Sequence, residues 1–148
     1  MRQALIGLCC LIAAGCSSRA EISARKVNLY QDWALGPGDS LGDYEVQSGL
    51  GDVAVDVRGQ RIYMPFDGSI EPDADSEGLC IIVSSPEVPA YLFRLCGIQR
   101  PRLGYQARHT TIGVGQVIAF ATLRRQRDGT WAMVEPAQDL LMKFLEKP

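Results

Sequence analysis

Short apolar runs alternate with clusters of Gly, Pro and Asp over most of the chain, the rhythm of strands and tight turns. Val53, Val55 and Val57 alternate with Ala54 and Asp56, a period of two that marks a strand with one buried face. Ile62-Tyr63-Met64 follows and is closed by Pro65 and Asp67-Gly68. Leu79-Cys80-Ile81-Ile82-Val83 and Tyr91-Leu92-Phe93-Arg94-Leu95-Cys96 are further strand-like runs, separated by the turn-forming Ser84-Ser85-Pro86-Glu87-Val88-Pro89. Val117-Ile118-Ala119-Phe120 and Trp131-Ala132-Met133-Val134 are joined through Asp128-Gly129. Only residues 137–145 have helical spacing, with Leu140, Leu141, Phe144 and Leu145 on one face. The pattern predicts a mostly β domain over residues 41–148, a small antiparallel sheet or hybrid barrel with a short C-terminal helix.

Ahead of this domain the pattern changes. After Arg2 the chain is apolar without a break from Ala4 to Ala14. That run falls short of the roughly 20 residues needed to cross a bilayer and suits the h-region of a signal peptide. The sequence that ends it, Ala13-Ala14-Gly15-Cys16, resembles the lipobox of bacterial lipoproteins, although lipoboxes more often carry Leu where Ala13 stands. The resemblance implies a signal peptide over 1–15, cleaved before a Cys16 that carries a diacylglycerol thioether and, usually, an acyl (palmitate-type) amide. Ser17, rather than Asp, after that Cys implies sorting to the periplasmic face of the outer membrane. Residues 16–40 read as the lipid anchor and a polar tether, with Arg19, Arg25 and Lys26 as charges and Trp33 near the end. Several acyl chains at about 0.8 kcal/mol per buried CH₂ give stable membrane attachment without inserted protein.

Charge narrows the partners. A net charge of -2 and a pI near 5.4 argue against a nucleic-acid binder. Arginines gather locally at Arg100, Arg102 and Arg108 and again at Arg124, Arg125 and Arg127, in sequences that suit solvated turns as well as binding patches. Of five cysteines, Cys9 and Cys10 leave with the signal and Cys16 takes the lipid. Folding the remaining hairpin about Val88 sets Cys80 opposite Cys96, which makes the pair a candidate disulfide in an oxidising compartment.

Three phrases carry a second resemblance. Ile62-Tyr63-Met64-Pro65-Phe66-Asp67-Gly68-Ser69-Ile70 is similar to the "V-x-A-P-x-D-G-x-V" segment of the lysostaphin-type (LytM) zinc endopeptidases, which cut peptidoglycan cross-links. Gly113-Val114-Gly115-Gln116-Val117-Ile118-Ala119 is similar to that family's "V-x-x-G-Q-x-I-G" turn, and Tyr91 to Leu95 stand where the family has "Y-x-H-L". The order of these parts over residues 48–141 adds to the match, while Gly-Gln and Pro-x-Asp-Gly phrases also occur in lipoyl-like hybrid barrels. Carried over residue by residue, the metal site is degenerate. Ser48 stands for the first ligand His of "H-x-x-x-D" and Asp52 for its Asp, whereas Trp131 and Met133 stand for the histidines of "H-x-H-F-E". Phe93 or Arg94 occupies the remaining His position. Zinc hydrolysis needs about three N, O or S ligands and an open water position, and the chain's single histidine is His109. The expectation is a chain with no metal, no cofactor and no hydrolase activity.

Other chemistry is thin. His109 has no evident nucleophile partner, and Ser48 lacks the preceding Gly of a nucleophile elbow. Asp73-Ala74-Asp75-Ser76-Glu77-Gly78 resembles the start of an EF-hand loop, but Ser84 stands where the bidentate Glu belongs. Tyr63, Phe66, Tyr91, Phe93 and Trp131 suit core or groove lining, and aromatic faces also stack on sugars. Inactive LytM-like domains commonly regulate cell-wall hydrolases, so the resemblance implies peptidoglycan or a hydrolase as partner; a structural accessory subunit of an envelope complex is the alternative. The anchor is directly checkable: metabolic labelling with palmitate marks the wild-type chain, and Cys16→Ser abolishes both label and processing. Label retained by that variant excludes the lipoprotein assignment.

Overall fold

The computed structural model describes residues 22–27, 29–31, 38–48 and 51–148, so Cys16, the expected signal segment before it and Trp33 lie outside the described residues. Twelve strands and one α-helix follow in chain order: β1 (Leu29–Gln31), β2 (Ser40–Leu41), β3 (Tyr44–Ser48), β4 (Val53–Asp56), β5 (Arg61–Tyr63), β6 (Gly68–Pro72), β7 (Cys80–Ser84), β8 (Tyr91–Cys96), β9 (Gly104–Gln106), β10 (Thr111–Val114), β11 (Val117–Arg125), β12 (Trp131–Val134) and α1 (Gln138–Leu145). Ten strands form one sheet in the order β2-β3-β4-β11-β8-β7-β6-β9, with β12 also on β11 and β1 on β12. Its described strand pairings are antiparallel except β1 with β12. A mostly β, antiparallel domain with a short C-terminal helix is therefore what the alternating pattern forms.

Period-two alternation sorts the side chains onto two faces. On the front face Val53 and Val55 of β4, Ile118 and Phe120 of β11, Phe93 and Leu95 of β8, Ile81 and Val83 of β7 and Ile70 of β6 make one buried cluster. The two-stranded β5–β10 ribbon and α1 cover it, adding Ile62, Ile112, Leu141, Phe144 and Leu145. Helical spacing puts Leu141, Phe144 and Leu145 on one face, and Phe144 meets Phe93 and Phe120 at ring-centroid distances of 5.9 and 5.8 Å. Each such fully buried side chain contributes about 1.5–3 kcal/mol of transfer free energy. Gly68 is required where β6 begins, because a Cβ there would lie 2.1 Å from the Ser84 carbonyl oxygen.

The back face holds a smaller cluster of Ile82, Leu92 and Leu123, flanked by Trp131 and Met133. Its cover is the N-terminal segment. Arg25 donates its N–H to the Pro72 carbonyl at 2.9 Å and accepts from the Ala74 N–H at 3.0 Å, Val27 is buried in the cluster, and β1 continues parallel to β12. Part of the stretch expected as tether is thus a strap crossing the sheet, because an apolar back face must be covered and Val27 supplies the apolar contact. The described strap residues ahead of residue 41 are thus a layer packed on the sheet.

Tight turns close the hairpins as the Gly, Pro and Asp clusters require. At the β11–β12 turn Asp128 Oδ1 accepts the Thr130 hydroxyl (2.7 Å) and the Thr130 N–H (3.0 Å), and these bonds hold its carboxyl below the ordinary carboxylate range. The turn's contribution is therefore present above the ordinary carboxylate pKa and is lost as pH falls through the lower folded value. In the β7–β8 hairpin Cys80 pairs directly with Cys96, their Cα atoms 4.0 Å apart, and the two sulfurs are bonded. The loop so closed has about 15 residues, which corresponds to about 3 kcal/mol in the chain-entropy model. Substituting both cysteines by Ala lowers the unfolding free energy by that order in urea titrations, and thiol titration of unreduced, denatured wild type finds neither Cys80 nor Cys96 free.

Candidate functional site

The four positions assigned to a degenerate metal site are not assembled into one. Ser48 pairs with Ala54 and, across β4, stands level with Ala119 of β11. Met133 and Trp131 pair with Leu123 and Arg125 of the same strand. Positions 119 and 125 are six residues apart, about 20 Å along the strand, far beyond the reach of ligands around one ion. Trp131 and Met133 pack against the back-face cluster. Asp52 precedes β4, outside any strand. Phe93 faces the front core, whereas Arg94 faces the back and Nε donates to Asp73 Oδ2 at 2.6 Å. The residues present do not fit a zinc site of the resembled family, and among the described residues no group of three or more His, Cys, Asp or Glu is arranged to hold a metal. His109 sits exposed in the β9–β10 turn at φ +67°, its N–H given to the Met64 carbonyl.

What the fold does assemble is a cleft on the back face beside the strap, with a volume of about 500 Å³. Arg25, Ser69, Ser84, Tyr105, Arg125 and Trp131 are among its lining residues. Register explains the convergence: Tyr105 pairs with Ser69, and Ser69 with Ser84, so three polar side chains stand in a row across β9, β6 and β7. Trp131 and Arg125, paired across β12 and β11, stand at the far end. From β9 to β12 the sheet spans five strand spacings, about 24 Å, so the cleft is elongated. Tyr105 is 66% exposed and Trp131 half-buried, giving two aromatic surfaces with apolar rings and polar tips. Arg125 has no carboxylate partner among the described residues. Arg25 Nε lies 2.7 Å from Glu71 Oε2, yet that shielded oxygen receives no directed N–H, so the contact is a charge pair without a hydrogen bond. The arrangement offers stacking surfaces, hydroxyls and cations, and no paired acid and base.

A second groove lies on the front face, about 390 Å³, lined by Phe66, Tyr91, Phe93, Val134 and Leu140 among others. Phe66 and Phe93 stack across its floor with centroids 6.0 Å apart. Next to Phe66 and Val88, a polar network ties the hairpin ends together. Asp67 Oδ1 accepts the Arg108 N–H at 2.6 Å, the Ser85 hydroxyl donates to the Asp67 carbonyl at 2.6 Å, and Glu87 pairs with the Arg108 guanidinium.

Sequence reading missed the buried Asp73–Arg94 pair and the row of Tyr105, Ser69 and Ser84. One signal was present: Arg94 interrupts an apolar run at an alternate position, which on a sheet buried on both faces demands an opposing charge. Asp73, within the acidic stretch compared with an EF-hand, is 5% exposed and is the N-cap of a single 3₁₀ turn, accepting the Asp75 N–H at 3.2 Å. Tyr105 and the serines gave no signal, since their convergence depends on non-local pairing. No known protein-family model matches the chain, and no curated protein matches it either.

Breaking the Asp73–Arg94 pair leaves a buried carboxylate uncompensated. Arg94→Met lowers the unfolding free energy by about 3 kcal/mol or more, and adding Asp73→Asn recovers part of that loss in a double-mutant cycle read by urea denaturation.

Proposed function

We propose that the protein is a lipid-anchored lipoprotein of the bacterial envelope whose non-catalytic domain binds peptidoglycan in the back-face cleft, at the periplasmic face of the outer membrane. The observation that carries this reading is the cleft itself: two aromatic surfaces about 24 Å apart, a hydroxyl row between them, and an Arg125 with no carboxylate partner among the described residues. Sugar rings stack on amphipathic aromatic faces, serine hydroxyls exchange hydrogen bonds with hydroxyls and amides, and guanidinium pairs with the carboxylates that stem peptides carry. An elongated, open cleft suits a polymer strand better than a small molecule. The sequence resemblance to peptidoglycan endopeptidases points to the same polymer. A module of this kind places a cell-wall hydrolase or its substrate by binding rather than by cutting.

A second reading, an accessory subunit that docks a protein partner, is favoured by one observation, the apolar front groove with its stacked Phe66 and Phe93. The two separate by co-sedimentation with purified sacculi. Arg125→Glu and Tyr105→Ala each reduce sacculus binding about fivefold or more, as expected for loss of one charge-assisted or stacking contact. Substitutions in the front groove leave it unchanged. Sacculus binding insensitive to both cleft variants excludes the cleft as the site, and release of muropeptides by the wild-type chain excludes the non-catalytic reading.

A further inference from the structure

β9 ends the sheet, and its outer edge has no strand partner among the described residues. Exposed apolar side chains gather there. Ile22 of the strap is 38% exposed, Leu103 is 37% exposed, and both flank Gly104, over which Ile22 lies; a Cβ on Gly104 would stand 3.4 Å from Ile22 Cδ1. The segment that leads into the edge, Arg100-Pro101-Arg102-Leu103, adds two exposed arginines, and neither has an ion-pair partner among the described residues. No acidic residue occurs between Gln99 and Arg108, and Arg108 itself is already held by Glu87. Single exposed apolar residues are ordinary on any surface. Here they coincide with unpaired positive charge on an open strand edge.

The place of this patch relative to Cys16 gives it a partner. Ile22 is six residues beyond Cys16, and six residues span at most about 20 Å when fully extended. A chain lipidated at Cys16 therefore cannot carry the β9 edge farther than that from the headgroups, which is less than the diameter of a domain this size. We propose that the β9 edge, through Arg100, Arg102, Leu103 and Ile22, docks on anionic lipid headgroups of the membrane that bears the anchor. This inference rests on the lipid-anchor part of the proposed function and on no property of the cleft. The guanidinium groups match lipid phosphates in fork geometry, and polybasic segments beside a membrane gain with each positive charge. Leu103 and Ile22 enter the apolar boundary just below the headgroups. Docking also covers the free edge, which otherwise remains a template for adventitious strand addition.

The test uses the full-length lipidated chain reconstituted into vesicles of phosphatidylcholine alone or phosphatidylcholine with phosphatidylglycerol. Flotation with the neutral vesicles reports the anchor, and hydrogen exchange of the amides from Leu103 to Gln106 reports docking. Exchange there slows on anionic vesicles relative to neutral ones, and Arg100→Asn and Arg102→Gln each weaken that protection about fivefold, the worth of one charge at such a surface. Asn suits position 100 because Arg100 has φ +51°. Both variants bind sacculi as wild type does, which separates failure here from failure of the cleft. Flotation with no charge-dependent protection, or protection unchanged in both variants, overturns the docking while leaving the anchor standing. Protection that persists in detergent assigns the edge to a protein strand instead and overturns it as well. Failure to float with neutral vesicles overturns the anchor and, with it, this inference.

Discussion

The nine-residue strand β11 is the constraint on which the other layers depend. One edge pairs with β8 along six residues; the other takes β4 over its first half and β12 over its second. Because successive side chains alternate, this single strand sends Ile118 and Phe120 into the front core and Leu123 into the back cluster. Both faces near it are consequently apolar, and both must be covered. The helix and the β5–β10 ribbon cover the front, while among the described residues the N-terminal strap is the layer over the back. A register slip of one residue in β11 would exchange these sets and expose both.

Charge follows the same division. On the back face the polar positions are settled in two ways: Arg94 is neutralised in place by Asp73, and Arg25 is drawn toward Glu71 where the strap crosses β6. Arg125, at the open end, has no such partner among the described residues. The contrast between a half-buried arginine held by a buried carboxylate and one beside Trp131 with no carboxylate partner among the described residues distinguishes structural charge from charge available to a ligand. It also explains why the cleft lies beyond the strap and not beneath it, since Val27 already fills the centre of the face.

Much of this was readable from residues in order. Alternation identified β4, the β7–β8 hairpin with its paired cysteines, and the β11–β12 hairpin about Asp128-Gly129; helical spacing identified α1. These are local signals, carried by neighbours within one turn or one hairpin. The strap was read as polar tether because Arg25 and Lys26 dominate its composition, and the worth of Val27 depends on Ile82, Leu92 and Leu123, which are 55 to 96 positions away. The cleft was equally hidden, since Tyr105, Ser69 and Ser84 meet only through β6. Motif matching placed Ser48, Trp131 and Met133 in one site by order along the chain, and strand register then set Ser48 and Trp131 at opposite ends of β11.

The parallel pairing of β1 with β12 has a consequence for how the domain comes to exist. Leu29 pairs with Trp131 in register, so the first described strand and the last are neighbours across 102 positions. A contact of such sequence separation carries a large loop-closure cost and forms late. The β1 end of the strap therefore has no strand partner until β12 has been made and paired, although Arg25 and Val27 have theirs on β6, β7, β8 and β11 before that. Completion of the last hairpin is in this sense the event that seals the sheet, and a chain truncated after β11 would keep most of its front core and still lack a closed surface.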